Sequence, residues 1–192
     1  RPKPERDTGF KAALGRLGHA VVDNGREVAA LVAFHGELLV NLFDRYLDNL
    51  SRIRIGTFDS MCRSLSAGHG GICTFTDCLG DYLAVGPDGS IYPCQRFVGL
   101  AGFTMGSVQQ SPTREQLERT PVWQAFAERQ EHIAEECGDC AHLAICRGGC
   151  PYNVLAENGG RFNGRLRDPH CESYRRFFSY AHERALQEVF SP

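Results

Sequence analysis

Residues that would form one apolar face recur at steps of three and four between residues 27 and 50. They are Val28, Leu31, Val32, His35, Leu38, Leu39, Leu42, Phe43, Tyr46, Leu47 and Leu50. This period predicts a long amphipathic helix with Asp23 or Asn24 as its N-cap. Residues 52–55 alternate as a strand does, and residues 58–65 predict a short helix. A helix followed by a strand is the unit of alternating α/β domains, so these sixty residues are expected to be the last pieces of one.

A second pattern follows the glycine-rich loop at residues 68–71. Residues 81–85 and 90–94 flank the sequence Gly86-Pro87-Asp88-Gly89. Proline presets the second position of a turn and glycine tolerates the last, so this stretch predicts a β-hairpin. Residues 104–108 then predict a loop or a short strand.

Two helices are predicted after the hairpin. Ser111-Pro112 and Thr120-Pro121 each place a capping hydroxyl before a proline at the first helical position. The helices are expected near residues 112–119 and 121–135. The second has an apolar stripe that is expected to be ordinary core, formed by Trp123, Phe126, Ala127 and Ile133.

The last helix is predicted to begin after Asp168-Pro169. Its inward residues are expected to be Tyr174, Phe177, Phe178, Ala181, Leu186 and Val189. Cys171 falls in the first turn of this helix. There, unpaired N–H groups and the positive end of the helix dipole are expected to lower the pKa of its thiol.

Composition limits the classes of protein and partner. The 192 residues are 42% hydrophobic, which is enough to bury a core. The net charge of -2 gives no electrostatic case for nucleic acid or a membrane surface. No apolar run approaches the ~20 residues of a membrane span, and the start lacks the apolar segment of a secretory signal. We therefore expect a cytoplasmic protein with neither nucleic acid nor a membrane as partner.

Nine cysteines are the main candidate chemistry. Their odd number and the absent signal segment favour metal ligation over disulfides. They divide into an upstream group (Cys73, Cys78 and Cys94), a downstream group (Cys137, Cys140, Cys146, Cys150 and Cys171) and Cys62. Zinc sites and iron-sulfur clusters each prefer four ligands. One downstream cysteine must therefore complete the upstream site, unless Cys62 does so, and spacing alone leaves both arrangements open.

The identity of the metal depends on the same spacings. Only Cys137 and Cys140 have the two-residue separation of a zinc knuckle, and few histidines are placed to act as ligands. All-thiolate ligation with separations of two, three, four and five residues favours iron-sulfur clusters. His142 lies inside the downstream group, where a surface or supporting role is the simpler interpretation.

The run C-x2-C-x5-C-x3-C, followed by a distant cysteine and preceded by a Gly-Ser-Ile-Tyr-Pro-Cys hairpin, resembles the SPASM domain. That domain lies at the C-terminus of radical S-adenosylmethionine peptide maturases, including anaerobic sulfatase-maturating enzymes. The resemblance covers about residues 70–185. It implies that Cys73, Cys78, Cys94 and Cys150 hold a first auxiliary 4Fe-4S cluster, and that Cys137, Cys140, Cys146 and Cys171 hold a second. Cys150 is then the crossing ligand and Cys62 a spare, buried thiol.

The resemblance also implies a fold and a domain division. We expect an α+β fold in which a small β-hairpin and helices wrap around two cysteine-ligated clusters. Residues 67–192 would form the SPASM domain, and residues 1–66 a linker and the C-terminal remnant of a radical S-adenosylmethionine partial barrel. The C-x3-C-x2-C motif of the cofactor-cleaving cluster is absent from these 192 residues. S-adenosylmethionine and a third 4Fe-4S cluster are therefore expected in an N-terminal domain of a longer enzyme, and this chain alone is not expected to be catalytic.

The expected chemistry is oxidative modification of a peptide substrate, with an electron passing to the clusters. Sulfatase-maturating relatives carry an aspartate, proposed as general base, after the third ligand of the first cluster. This chain has Gln95 there, which cannot take up a proton, so thioether formation is favoured over formylglycine formation. Asp81 is a substitute candidate for the base, although a solvated turn residue is the simpler interpretation. Arg96 and Arg147 each adjoin an implied ligand and are candidates for supporting hydrogen bonds, or are ordinary surface charges.

Two other functional classes remain open from the sequence. One is a zinc-stabilised interaction module without a redox role. The other is a standalone ferredoxin-like electron carrier. The maturase interpretation predicts an external electron donor or acceptor, such as ferredoxin or flavodoxin, besides the peptide or protein substrate.

Overall fold

The computed structural model describes residues 25–157, 162 and 165–190. In this part of the chain the helices are α1 (Gly25–Leu47), α2 (Gly56–Ala67), α3 (Arg114–Glu118), α4 (Pro121–Cys137), α5 (Leu143–Cys146), α6 (Pro151–Glu157) and α7 (Cys171–Phe190). The strands are β1 (Ala84–Val85), β2 (Ser90–Tyr92) and β3 (Gly106–Ser107). The predicted mixture of helices with a small sheet is confirmed. The wrapping of these elements around two clusters stays a prediction.

The predicted hairpin is formed by β1 and β2, which pair antiparallel with Ala84 opposite Tyr92. Its turn closes through a hydrogen bond of 2.9 Å from the Gly89 amide to the Gly86 carbonyl, and Gly89 has a φ of 82°. Only glycine adopts that φ without strain. β3 pairs antiparallel with β2, so the hairpin becomes a three-stranded sheet in the order β1-β2-β3.

An aromatic core joins α1 and α2 to α7. Phe177 and Phe178 of α7 are completely buried, and the ring centroids of Phe43 and Phe177 lie 5.2 Å apart. The other buried members of this core are Tyr46, Phe58, Met61, Phe75, Ile145, Cys146 and Ala181. The helices predicted from the hydrophobic period are therefore confirmed. The proposed caps of α1, Asp23 and Asn24, and the side chains of Leu186 and Val189 lie outside the described residues.

A second packed region holds the sheet against α4. Trp123 packs with Ile91, Met105 and Leu117. Phe126 packs with buried aromatic rings from β2 and the turn after it, Tyr92 and Phe97. The stripe predicted on α4 is therefore core, and it packs the sheet against α4, which ends at Cys137.

Two predictions about local backbone structure are wrong. Residues 52–55 are not a strand, because the amides of Arg52 and Ile53 both bond to the Asn49 carbonyl in a turn that continues from α1. Ser111 does not cap α3, since its φ of 45° places it at the end of the preceding 3-10 helix. Thr113 caps α3 instead and forms a reciprocal capping box with Gln116.

Among the helices that the structure describes, none combines the length and the apolar content needed to cross a membrane.

Candidate metal centre

Cysteines lie at the ends of several elements around the sheet and α4. Cys73 begins a 3-10 helix (Cys73–Phe75), and Cys94 caps another (Gln95–Phe97) directly after β2. Cys137 ends α4, Cys146 ends α5 and Cys171 begins α7. The remaining three, Cys78, Cys140 and Cys150, lie in the connections. Loop and element-terminal positions are where a scaffold can direct several side chains to one place.

The upstream cysteines have Cys150 as a neighbour. Burial raises the pKa of the Cys78 thiol to about 11, and the nearby Cys150, Cys94 and Cys73 act in the same direction. Burial likewise raises the pKa of Cys94, and Cys150 adds to that shift. Cys150 thus lies close to thiols that precede it by 56 residues or more.

The other downstream cysteines influence one another. Burial raises the pKa of the Cys146 thiol to about 12, with further contributions from Cys171 and Cys137. The pKa of Cys137 is raised by burial and then by Cys171 and Cys140. None of these eight thiols is in a disulfide bond.

The expected pKa shift of Cys171 is wrong in direction. Its place at the start of α7 was expected to lower the pKa of its thiol. Burial instead raises that pKa, although the neighbouring Arg167 partly opposes the effect. Removing water disfavours the charged thiolate, and this is the largest of the effects on the pKa of Cys171.

The donor chemistry of these eight residues fits thiolate-bound metal. A buried thiol with a raised pKa is disfavoured as an isolated anion, and a metal cation stabilises the deprotonated form that acts as a ligand. Within the described ranges, no three Cys, His, Asp or Glu side chains are gathered closely enough to hold one metal ion. The case for thiolate-bound metal therefore rests on the eight thiol donors and on their electrostatic influence on one another.

A buried arginine and a buried aspartate hold the loop that joins Cys146 to Cys150. Arg129 Nη2 donates hydrogen bonds to the carbonyls of Gly148 (3.0 Å) and Gly149 (3.1 Å). Asp168 Oδ2 accepts a bond of 2.8 Å from the Cys150 amide, and the Asp168 amide donates a bond of 2.8 Å to the Gly148 carbonyl. Arg129 is 4% exposed and Asp168 0%. Opposite charges thus fix three successive residues of this loop.

Both glycines of the loop are required by its geometry. Gly148 and Gly149 each have a φ of 76°. A Cβ on Gly148 would lie 2.3 Å from Ile133 Cγ1, and one on Gly149 would lie 2.4 Å from Asp168 Cβ. The Gly-Gly pair therefore allows the chain to pass between α4 and Asp168.

Asp168 is charged despite its burial. Burial alone would raise its pKa, but hydrogen bonds from His170, Asn153 and the Cys150 amide outweigh that effect and hold the pKa below its usual value. The sequence predicted this residue only as a helix cap. α7 begins only at Cys171, so Asp168 lies in the turn before the helix, where its Oδ1 accepts a bond of 2.8 Å from the His170 amide. Arg129 was not among the predicted site residues. Its position on the apolar stripe of α4, between Phe126 and Ile133, could have indicated a buried charge.

Known proteins are similar to this chain in sequence. Residues 73–141 match the SPASM family, described as an iron-sulfur cluster-binding domain. A cysteine-type anaerobic sulfatase-maturating enzyme of Clostridium perfringens is 28% identical over 153 residues, which cover 78% of this chain and 40% of the relative. A serine-type enzyme of Klebsiella aerogenes is 29% identical over 109 residues, covering 57% and 24%. Residues 73–141 are therefore similar to a SPASM domain, and the chain is similar in sequence to these enzymes.

Solved structures agree with this relationship. The native anSMEcpe with bound AdoMet superposes with a TM-score of 0.65 at 26% identity, covering 84% of this chain and 43% of that one. The same protein with bound AdoMet and Cp18Cys peptide gives a TM-score of 0.64 at 28% identity, covering 82% and 43%. The chain thus spans about two fifths of the length of these relatives.

The two arginines beside implied ligands of the SPASM domain have different contacts. Arg96 Nη1 lies 3.5 Å from Cys150 Sγ and donates a bond of 2.9 Å to Asn153 Oδ1. Its guanidinium also stacks 3.9 Å above the Tyr152 ring. Arg147 instead forms a two-pronged ion pair with Asp77, with Nε donating to Oδ1 at 2.7 Å. A supporting role for either arginine toward a cluster remains a prediction.

The other candidate residues are placed as follows. Asp81 is an exposed turn residue whose amide donates a bond of 3.2 Å to the Cys78 carbonyl. Gln95 is exposed at the start of its 3-10 helix. His142 Nε2 lies 3.0 Å from Ser179 Oγ of α7, and Cys62 is half-buried against the aromatic core.

The Arg147–Asp77 pair is expected to contribute little to stability. Both side chains are more than two fifths exposed, so water screens their attraction, and even a two-pronged contact is worth at most about 1 kcal/mol there. A double-mutant cycle of Arg147→Ala and Asp77→Ala, followed by chemical denaturation under anaerobic conditions, measures the coupling. A coupling free energy above about 2 kcal/mol would contradict the exposed position of the two side chains.

Proposed function

We propose that this chain is the auxiliary-cluster region of a radical S-adenosylmethionine peptide-modifying enzyme. Two 4Fe-4S clusters would be held by Cys73, Cys78, Cys94 and Cys150, and by Cys137, Cys140, Cys146 and Cys171. The observation that carries the proposal is the electrostatic proximity of Cys150 to Cys78 and Cys94. The same proximity among Cys137, Cys146 and Cys171 supports the second set. The match to an iron-sulfur cluster-binding domain supports the choice of cofactor.

The residues around these sulfurs suit electron transfer. In the proposed reaction, S-adenosylmethionine bound elsewhere in the enzyme would supply the group that removes a hydrogen atom from the peptide. The peptide must then lose one proton and one electron. When bound, clusters of this type take up single electrons. Arg96, at 3.5 Å from Cys150 Sγ, would stabilise added negative charge at that sulfur, and Asp168 would hold the Cys150 backbone in place.

The rest of the enzyme is part of the proposal. S-adenosylmethionine and a third 4Fe-4S cluster would bind in an N-terminal domain, which agrees with the bound AdoMet of the solved relative. A peptide or protein would be the substrate, as the Cp18Cys peptide is bound by that relative. Ferredoxin or flavodoxin would exchange electrons with the clusters in the cytoplasm, without nucleic acid or a membrane as partner.

The bond formed is proposed to be a thioether. Gln95 follows Cys94 at the position where relatives that form formylglycine carry an aspartate, and an amide cannot accept the substrate proton. Formylglycine formation is the second candidate, favoured by the names of the homologues, which are sulfatase-maturating enzymes. The intact protein, incubated with AdoMet, a reductant and a cysteine-containing peptide, distinguishes the two products. A cross-link that consumes the thiol supports the thioether, and a product that reacts with an aldehyde probe contradicts it.

Metal analysis tests the proposal itself. Protein purified anaerobically should be brown and absorb broadly near ~400 nm, and this chain should account for about eight irons, four per cluster. A zinc-stabilised module would be colourless and contain about two zincs, four thiolates to each. Colourless protein with zinc and no iron, even after anaerobic reconstitution with iron and sulfide, would remove the electron-transfer function. A ferredoxin-like carrier would bind the irons but leave AdoMet and peptide unchanged.

A further inference from the structure

We propose that Arg129 is a positioning residue shared by both cluster sites, and that its buried charge raises the reduction potential of each cluster. The inference rests on the function proposed above, since it assumes that the eight thiols bind two clusters. It assigns a role to a residue that lies outside the cysteine motif.

The contacts of Arg129 place it at the junction of the two cysteine sets. Its Nη2 bonds to the Gly148 and Gly149 carbonyls, and its Nε donates a bond of 2.9 Å to the Leu166 carbonyl. The glycines lie between Cys146 and Cys150, which belong to different sets. One guanidinium therefore fixes the backbone through which the two sets are joined.

The charge of Arg129 acts on thiols of both sets. It interacts electrostatically with Cys150 and Cys78 of the first set and with Cys137 of the second. Burial lowers the pKa of the guanidinium and Asp168 raises it, but an arginine side chain stays protonated in proteins. Charges interact more strongly where water is excluded. Reduction adds one negative charge to a cluster, so a nearby buried cation favours the reduced form.

A purely structural role and an electrostatic role make different predictions. Glutamine at position 129 retains an N–H group that can donate to a carbonyl but has no charge. Lysine retains the charge but lacks the fork that bonds to several carbonyls. If the residue acts only by holding the loop, glutamine and lysine alter stability without a systematic change of potential. If the charge matters, glutamine lowers the reduction potentials and lysine keeps them near the wild-type values.

The test is an EPR-monitored redox titration of the intact protein, purified anaerobically. Wild type, Arg129→Gln, Arg129→Lys and the exposed control Arg114→Gln are compared at equal iron content. Arg129→Gln should lower both potentials, each by about a tenfold change in the one-electron equilibrium constant, which corresponds to about 59 mV. Arg129→Lys should return both toward the wild-type values, and Arg114→Gln should leave them unchanged.

Several results would overturn the inference. Unchanged potentials in fully loaded Arg129→Gln, or a shift of only one cluster, would exclude a shared electrostatic role. Arg129→Met, a second neutral variant of similar length, replaces the glutamine variant if that one binds no iron. Iron binding by the lysine variant but by neither neutral variant would mean that the charge is needed to assemble the clusters, and it would refute the tuning of their potentials. The iron content of the wild-type protein is measured before any variant is compared. Wild-type protein without iron would refute the proposed function.

Discussion

Gly149→Ala is expected to distort the loop between Cys146 and Cys150 and to displace Cys150, the proposed ligand. Its φ of 76° disfavours any side chain, at a cost of about 1–2 kcal/mol for a residue with a Cβ. The new methyl would also meet Asp168 Cβ at 2.4 Å, and such overpacking costs about 1–3 kcal/mol more. We therefore expect the free energy of unfolding to fall by about 2–5 kcal/mol, with loss of about four irons.

Gly102→Ala is the matched control for that substitution. Gly102 also has a positive φ, 84°, but no atom lies within 4 Å of the position its Cβ would take. The control should show only the backbone cost, about 1–2 kcal/mol, and retain its iron. Chemical denaturation and iron analysis, both under anaerobic conditions, compare the two variants. Equal effects on stability and equal iron contents would contradict the close packing of this loop against Asp168.

Asp168→Asn is expected to have an effect of similar size for a different reason. The carboxylate is fully buried, accepts bonds from the Cys150 amide, the Asn153 side chain and His170, and compensates the charge of Arg129. Asparagine has nearly the same shape but no charge, so the buried guanidinium loses its counter-charge. Asparagine also presents N–H donors where a carboxylate oxygen accepts bonds, and leaving buried polar groups unsatisfied costs about 1–3 kcal/mol, or more where a charge is involved, so we expect a loss of about that size in the free energy of unfolding.

Asp88→Asn provides the same chemical change on the exposed hairpin turn. Asp88 bonds to the amide and hydroxyl of Ser90, and asparagine can replace it in such a turn. This control should leave the unfolding midpoint and the iron content close to wild type. If Asp168→Asn proves as mild as the control in anaerobic denaturation, Asp168 cannot be the charge that supports the Cys150 loop.

Local patterns in the sequence predicted much of the fold. The three- and four-residue period gave α1 and α7, and the Gly-Pro-Asp-Gly turn gave the hairpin, because those signals depend on near neighbours. Residues 52–55 alternate in polarity yet form no strand. Four alternating residues are too few to distinguish a strand from a turn. Here the amides of Arg52 and Ile53 both donate hydrogen bonds to the Asn49 carbonyl.

The sequence predicts ligands for the candidate site, but it does not predict the residues that support the loop between Cys146 and Cys150. The cysteines are recognisable by type and spacing, and their division into three and five predicts that one crosses between the groups unless Cys62 completes the upstream site. Arg129 and Asp168 lie 39 residues apart in the sequence, and only the folded chain brings both to the loop at Gly148. Single-sequence reasoning had no means to join them. Burial also reversed the expected pKa shift of Cys171, because burial depends on packing that the helix start does not encode.

The division of the eight cysteines into two sets is the central claim, and single replacements test it most directly. Cys150→Ala, Cys94→Ala, Cys146→Ala and Cys171→Ala are compared with Cys62→Ala in protein purified anaerobically, by iron analysis and EPR of the reduced state. We predict that Cys150→Ala and Cys94→Ala lose the same signal, that Cys146→Ala and Cys171→Ala lose the other, and that Cys62→Ala retains both. If Cys150→Ala instead loses the signal that Cys146→Ala loses, Cys150 does not cross between the sets and the account is wrong.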